Sequence, residues 1–190
     1  GDSGSSNSGA LARSPDGLTW TPITSTAFPR LTGIAFGNGK FIAVGGYAGL
    51  GDGAVVLAST DGREWTRQAA PQADRFPCIT FAGGRFVLVA GFPDFLVTPT
   101  NATYCKIYTS PDGSTWTERA SHIPGYILRM AFGNGRFVGV GDYIRPTLVT
   151  SLDGEEWISQ GSPNQFGLAA ATFGNGGFVA VASPGRAYAS

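Results

Sequence analysis

Apolar and polar residues alternate in short runs along this chain, and glycine breaks one run from the next. Residues 31–36 and 40–44 are short runs rich in apolar residues, and Asn38 and Gly39 stand between them. Asn-Gly between alternating runs is the strongest short signal for a β-hairpin, because both central residues of that turn need positive φ. The design recurs: Phe-x-x-Gly-x-Phe with a β-branched tail occupies 36–41, 81–86, 132–137 and 173–178. A second motif, Ser-x-Asp-Gly-x-x-Trp, alternates with it. Its defining residues are Ser14, Asp16 and Trp20; Ser59, Asp61 and Trp65; Ser110, Asp112 and Trp116; and Ser151, Asp153 and Trp157. Trp-to-Trp spacings are 45, 51 and 41 residues, and the spacings of the first Phe are the same. Insertions therefore fall outside both motifs.

The Asp-Gly pair is expected to make the same kind of turn as Asn-Gly, with the Asp carboxylate and Ser hydroxyl bonding nearby backbone N–H groups. It would join a strand such as 55–59 to a shorter one around Trp65. One period is then four strands, a to d, with a and b meeting at Asn-Gly and c and d at Asp-Gly. A four-stranded antiparallel unit of roughly 40 to 50 residues with Gly and Trp signatures predicts a β-propeller blade, in an all-β fold. A lone blade cannot bury both faces of its sheet, so blades must stack, and the four tryptophans belong in the contacts between them. Small residues such as Gly33, Ala35 and the run 169–171 suit an inner strand a crowded against the central axis. No stretch keeps a 3.6-residue apolar period, so helices should be nearly absent.

Repeats near 10–30, 31–75, 76–126, 127–166 and 167–190, four blades' worth of sequence, make one propeller domain over 10–190, behind a Gly/Ser-rich flexible lead at 1–9. Strand counting leaves an anomaly. Both 10–13 and 186–190 read as c strands, so c occurs five times while a, b and d occur four times. Three arrangements accommodate the surplus: a four-bladed ring clasped by its first strand, a part of a larger propeller, or two chains joined by self-association through their terminal strands. Without an initiator Met or a visible signal peptide, the sequence reads as a processed or excised chain.

Composition narrows the functional classes. Charged residues make up 14%, against about 25% in an ordinary domain, and 13 basic residues balance 13 acidic ones. That leaves no basic footprint for nucleic acid. The 29 glycines are interleaved with Phe, Val and Ile, as in a turn-rich globular protein. No run approaches the roughly 18 to 20 apolar residues of a membrane span.

The Ser-x-Asp-Gly-x-x-Trp motif resembles the Asp-box of sialidase-like (BNR) propellers. Its Phe-Gly-Asn-Gly-x-Phe-Val companion resembles repeats in bacterial secreted and surface proteins. The resemblance covers 10–190 and implies the propeller fold and an extracellular or cell-surface location. One departure is plain: the usual Asp-box has a residue between Asp and Gly, whereas here they are directly joined. A sialidase also needs an arginine cluster, a tyrosine nucleophile with its carboxylate, and an acid. Arg63, Arg67, Arg85, Arg119 and Arg136 instead read as solvated residues beside hairpins.

Hairpin lengths are constant among the repeats, while the b–c and d–a connections on the opposite rim vary. Loops on a rigid scaffold carry function, and this rim offers Tyr47, Asp52, Phe92, Asp94, Phe95, Tyr126, Asp142, Tyr143, Arg145 and Phe166, with Arg30, Arg75 and His122 nearby. Aromatic faces pack on sugar rings, and Asp or Arg can fork to paired hydroxyls or carboxylates. The same aromatics would equally serve to plug the channel or order their own loops. The four Asp of the Asp-Gly turns read as structural, each bonding its own backbone. Only four Glu are present, at 64, 118, 155 and 156, so a glycosidase carboxylate pair has few placements beyond Asp52, Asp94 and Asp142. One histidine, His122, placed in a loop before Pro124, excludes His-rich metal sites and disfavours a Ser-His-Asp triad. No cofactor or metal is expected.

Cys78 and Cys105 fall on strands a and c of one blade, two spacings of ~4.8 Å apart, beyond the usual reach of a disulfide unless the flanking loops bend. A bridge and a pair of apolar fillers both remain open. Asn101 with Thr103 matches a glycosylation acceptor. Taken together, these residues lead to the expectation of an exported, non-catalytic recognition or structural module that binds glycan or protein at the variable-loop rim. The competing readings are a glycoside hydrolase or lyase using the loop carboxylates, and a structural subunit of a surface filament or adhesin.

Overall fold

The computed structural model describes residues 9–23, 28–46, 53–91, 104–141, 147–161 and 167–182, and among them every regular element is a β-strand. Three complete sheets follow the predicted order. Blade 1 is β3 (Leu31–Gly37), β4 (Lys40–Gly45), β5 (Val55–Ser59) and β6 (Thr66–Gln68). Blade 2 is β7 (Arg75–Ala82), β8 (Arg85–Gly91), β9 (Tyr104–Ser110) and β10 (Thr117–Pro124). Blade 3 is β11 (Arg129–Gly133), β12 (Arg136–Gly141), β13 (Thr147–Ser151) and β14 (Ile158–Ser159). On either side stands a half-blade: β1 (Leu11–Arg13) with β2 (Thr21–Ile23), and β15 (Leu168–Gly174) with β16 (Gly177–Ala182). The fold is a β-propeller of antiparallel four-stranded blades.

The a–b turns form as their residues dictate. Asn38 and Gly39 have φ of 47° and 75°, the left-handed pair that a two-residue hairpin turn requires. The Asp-Gly connections differ from expectation. Six residues, 60–65, separate β5 from β6, and only Gly62, at φ 72°, is left-handed. The Asp side chain is the reason. Ser59 Oγ accepts the Gly62 N–H at 2.8 Å, and the Asp61 carboxylate accepts those of Arg63 and Glu64 at 2.8 and 3.1 Å. Bonds from a side chain to the backbone two and three residues on hold a wider loop than a tight hairpin does. The tryptophan closes that loop just ahead of strand d, so strand d begins at Thr66 and not around Trp65.

Blades stack face to face. Ile42, Val44 and Val56 of blade 1 pack with Phe76, Ile79, Phe86 and Leu88 of blade 2, with Trp116 against them. Val87, Val89 and Ile107 of blade 2 pack with Ile127, Phe137 and Val149 around blade 3, with Trp157 against them. The half-blades join by smaller seams: Leu11 and Ile23 lie on Ala43, Val55 and Leu57, beside Trp65, and Leu168 lies on Val138 and Val140. Full burial of each such side chain contributes about 1.5–3 kcal/mol, which makes these seams the source of the fold's stability. Three tryptophans thus occupy inter-blade contacts as predicted. Trp20 does not: it is 61% exposed, because the first half-blade has no sheet on its other side among the described residues.

Two glycines record how close the sheets come. A Cβ at Gly37 would lie 2.1 Å from the Phe81 ring of the next blade, and one at Gly113 would lie 2.3 Å from Ile42 Cδ1 of the previous blade. Polar groups tie the same seams. Thr32 Oγ1 donates to the Phe76 carbonyl, and Asn38 Nδ2 donates to the carbonyls of Gly84 and Pro111 at 3.2 and 2.7 Å. Arg85 and Arg119 both pair with Glu155, the second at 3.1 Å. These two arginines are therefore clamps between blade 2 and the blade 3 loop, where the sequence suggested solvated surface residues.

Candidate functional site

The a–b hairpins and c–d loops lie at one end of the antiparallel strands, and the strand ends that lead into the b–c and d–a connections lie at the other. Carboxylates on the first rim are committed to structure. Backbone N–H groups of Arg63 and Glu64 hold Asp61 below its ordinary pKa, those of Thr115 and Ser114 do the same for Asp112, and those of Glu155 and Glu156 for Asp153. Asp16 is lowered in the same way by Thr19 and Leu18. Such carboxylates stay ionised and saturated with donors, which suits a latch and not proton transfer.

On the second rim, the repeat sets one position in register. Arg30, Arg75, Tyr126 and Gly167 each stand six residues before the first Phe of their repeat, at the mouth end of successive inner strands. Arg75 opens β7 opposite Gly91 of β8. Its guanidinium carbon lies 4.6 Å from the centroid of the Tyr126 ring, so a cation from blade 2 stacks on the connection that enters blade 3. A partly desolvated cation–π contact of this kind contributes about 1–2 kcal/mol. The Tyr126 N–H donates to Thr147 Oγ1 at 3.2 Å, which fixes the backbone under the ring. Burial pushes the Tyr126 phenol well above its ordinary pKa, with the Arg75 charge pulling the other way. Space for the ring comes from Gly91, where a Cβ would approach Tyr126 Cε2 to 2.5 Å.

Among the rim residues predicted from sequence, the described structure brings Tyr126 together with Arg75. The ring of Tyr126 is buried at 7% exposure and carries the arginine on its face. Tyr47, Asp52, Phe92, Asp94, Phe95, Asp142, Tyr143, Arg145 and Phe166 lie outside the described residues, as do Asn101 and Thr103. His122 belongs to β10 and not to a loop. Strand d of blade 2 runs on to Pro124, through a polar stretch whose sequence lacks the alternation that marks a strand. Cys78 and Cys105 are free thiols, both buried in the seam between blades 2 and 3. Burial pushes them up to about 12 and about 11 respectively. Sequence reasoning named Arg75 and Tyr126 separately and missed their stacking. The signal was available in their shared offset from the repeat phenylalanine.

At this end of the inner strands the guanidinium of Arg75 is held flat on an aromatic floor, a stacking to which the planar group of Arg is suited. No family model and no curated protein matches the sequence. Solved structures do match the fold. A protein from Parabacteroides distasonis, provisionally classed as a glycoside hydrolase, aligns with a TM-score of 0.50 at 14% identity, over 78% of this chain and 59% of its own. A glycosyl hydrolase from Bacteroides ovatus aligns with a TM-score of 0.50 at 15% identity, over 78% of this chain and 57% of its own. The chain therefore spans somewhat under three fifths of the length of these propellers. The expectation of a non-catalytic module is corrected by this finding. Both of these matched structures are described as glycoside hydrolases, and scarcity of Glu and His in the blades says little about what loops on such a scaffold carry.

Proposed function

We propose that the chain acts on glycosidic bonds, as a propeller-type glycoside hydrolase or part of one, at the mouth formed by the b–c and d–a connections. Its fold, shared with the two glycosyl hydrolase structures at a TM-score of 0.50, is the observation that carries this reading. The mouth supports it, because Arg75 stacked on Tyr126 stiffens the strand ends that carry connections rich in aromatic residues. Asp52, Asp94 and Asp142, carried by the b–c connections, are the carboxylates proposed for the reaction. One protonates the departing glycosidic oxygen, and a second activates water or attacks the anomeric carbon. The Ser-Asp-Gly-Trp units are proposed to be Asp-box repeats that serve as latches on the far rim, remote from the chemistry.

A panel of fluorogenic glycosides covering pyranosides and furanosides of both anomers tests the proposal on the full chain. Turnover of at least one substrate is expected, with losses of about 10²-fold or more in two of the three variants Asp52→Asn, Asp94→Asn and Asp142→Asn. Absence of turnover across the panel, or turnover indifferent to all three changes, would overturn it.

A further inference from the structure

Two asparagine–glycine turns of this chain share sequence and backbone but differ in what holds the asparagine side chain. Residues 36–39 and 132–135 both read Phe-Gly-Asn-Gly, and a basic residue and a Phe follow in each. Asn38 and Asn134 both have φ of 47°, and the glycines after them have φ of 75° and 67°. Each pair forms the tip of its hairpin, between Gly37 and Lys40 in blade 1 and between Gly133 and Arg136 in blade 3, so neither Gly39 nor Gly135 has a partner in the ladder. All four residues are exposed, and a Cβ at Gly39 or Gly135 would meet nothing within 4 Å. Water and hydroxide therefore reach both turns alike.

The side chains are held differently. Asn38 Nδ2 donates across the seam to the carbonyls of Gly84 and Pro111 in blade 2, at 3.2 and 2.7 Å. Asn134 makes no side-chain hydrogen bond among the described residues, not even to Gly176, which holds the place of Gly84 in the next repeat. That difference bears on a covalent change to which asparagine before glycine is suited. The glycine amide nitrogen, once its proton has passed to hydroxide, attacks the side-chain carbonyl carbon of the asparagine, and glycine has no side chain to obstruct the approach. As the new C–N bond forms, the bond from that carbon to Nδ2 breaks, and Nδ2 takes a proton from water and leaves as ammonia. Water then opens the cyclic imide at either carbonyl, giving aspartate or isoaspartate. Nothing is oxidised or reduced, and water is the co-reactant.

We infer that Asn134 is a site of spontaneous deamidation in the folded chain and that blade 2 shields Asn38 from the same reaction. The leaving atom of Asn38 is the one that both blade 2 carbonyls hold, so reaction there has to give up both bonds. Two hydrogen bonds of ordinary net strength slow that step about fivefold or more. The shielding falls where a change would do harm. Conversion of Asn38 replaces two donors with a carboxylate aimed at two carbonyls across the seam, whereas Asn134 ties no other blade among the described residues.

Peptide mapping by mass spectrometry, on the full chain aged at mildly alkaline pH with and without urea, supplies the test. In the native chain Asn38 is expected to convert about fivefold or more slowly than Asn134, with isoaspartate among the products at position 134. In urea the two rates converge, because the flanking residues match. Equal native rates overturn the inference, as does a gap that persists in urea, or an Asn134 that stays intact in the native chain while the unfolded chain reacts. Stability gives a readout independent of these rates. Asn38→Asp lowers the urea midpoint further than Asn134→Asp does, and a shift as large at position 134 contradicts the latch that shields Asn38.

Discussion

Alanine substitutions at the loop glycines of blades 1, 2 and 3 separate backbone strain from the closeness of the blades. Gly62, Gly113 and Gly154 have nearly the same φ, 72°, 73° and 79°, so a common left-handed penalty of about 1–2 kcal/mol applies to all three. Their surroundings differ. At Gly62 the nearest atom to an added Cβ is Phe41 Cε2 at 3.6 Å, an ordinary contact. At Gly154 it is Val87 Cγ2 at 2.9 Å, and at Gly113 it is Ile42 Cδ1 at 2.3 Å with Cγ1 at 2.6 Å. Ile42 is fully buried, so it cannot swing away without disturbing Val44 and Phe86. Overpacking of this kind costs a further 1–3 kcal/mol or so. Urea denaturation followed by tryptophan emission and by circular dichroism should therefore rank the losses Gly62→Ala, then Gly154→Ala, then Gly113→Ala. Totals of about 1–2 kcal/mol are expected for the first and about 2–5 kcal/mol for the last. Equal losses at all three positions, or the largest at Gly62, would refute the account of blade stacking.

Further outcomes follow from the same geometry. The carboxylates of Asp61, Asp112 and Asp153 lie below 3.8 in the folded chain, so their stabilisation is complete above the unfolded pKa and is lost as pH falls through the folded values. The urea midpoint should be level from pH 7 to about 5 and drop below about pH 4. Asp112→Asn should cost about 0.5–2 kcal/mol at neutral pH, as for a lost capping carboxylate, and should flatten the acid limb; an unchanged limb speaks against the latch. Thiol titration with an aromatic disulfide at pH 8 should find Cys78 and Cys105 unreactive until urea unfolds the chain, and rapid native reaction would contradict their burial. Glu155→Gln should cost about 1 kcal/mol or less, diminishing with added salt, and salt-independence would argue against the arginine clamp.

Most of the scaffold was legible because its signals are local. Asn38 and Gly39 specify one turn type, and the equal spacings of Trp and Phe specify one repeating unit, so strands, order and stacking follow without long-range information. The Asp-Gly loop was misread because the dipeptide suits a tight turn, while the bonds that Ser59 and Asp61 make to the backbone decide otherwise. Strand d of blade 2 was taken partly for loop, since its pairing with β9 shifts register at Glu118/Ala120 and again at Ala120/Ile123, so the residues that meet the core, Ala120 and Ile123, are not spaced with a period of two. Trp20 was placed in a seam by analogy with its three counterparts, and its exposure depends on what lies beyond the first half-blade. At the mouth, each residue type was visible and the pairing of Arg75 with Tyr126 was not, because it joins different blades. Catalytic character was judged from the scarcity of Glu and His, a property of the whole composition, whereas the fold comparison concerns a scaffold whose chemistry is set by a few loop positions.

The most direct measurement is the nuclear Overhauser effect between the Ile42 δ-methyl and the Gly113 α-protons in methyl-labelled protein, with Val87 and Gly154 as the second pair. If the strand b face of each blade receives the loop of the next, both cross-peaks are strong. Their absence, with both methyl groups assigned and the chain folded, would contradict the stacked propeller and with it the placement of the mouth.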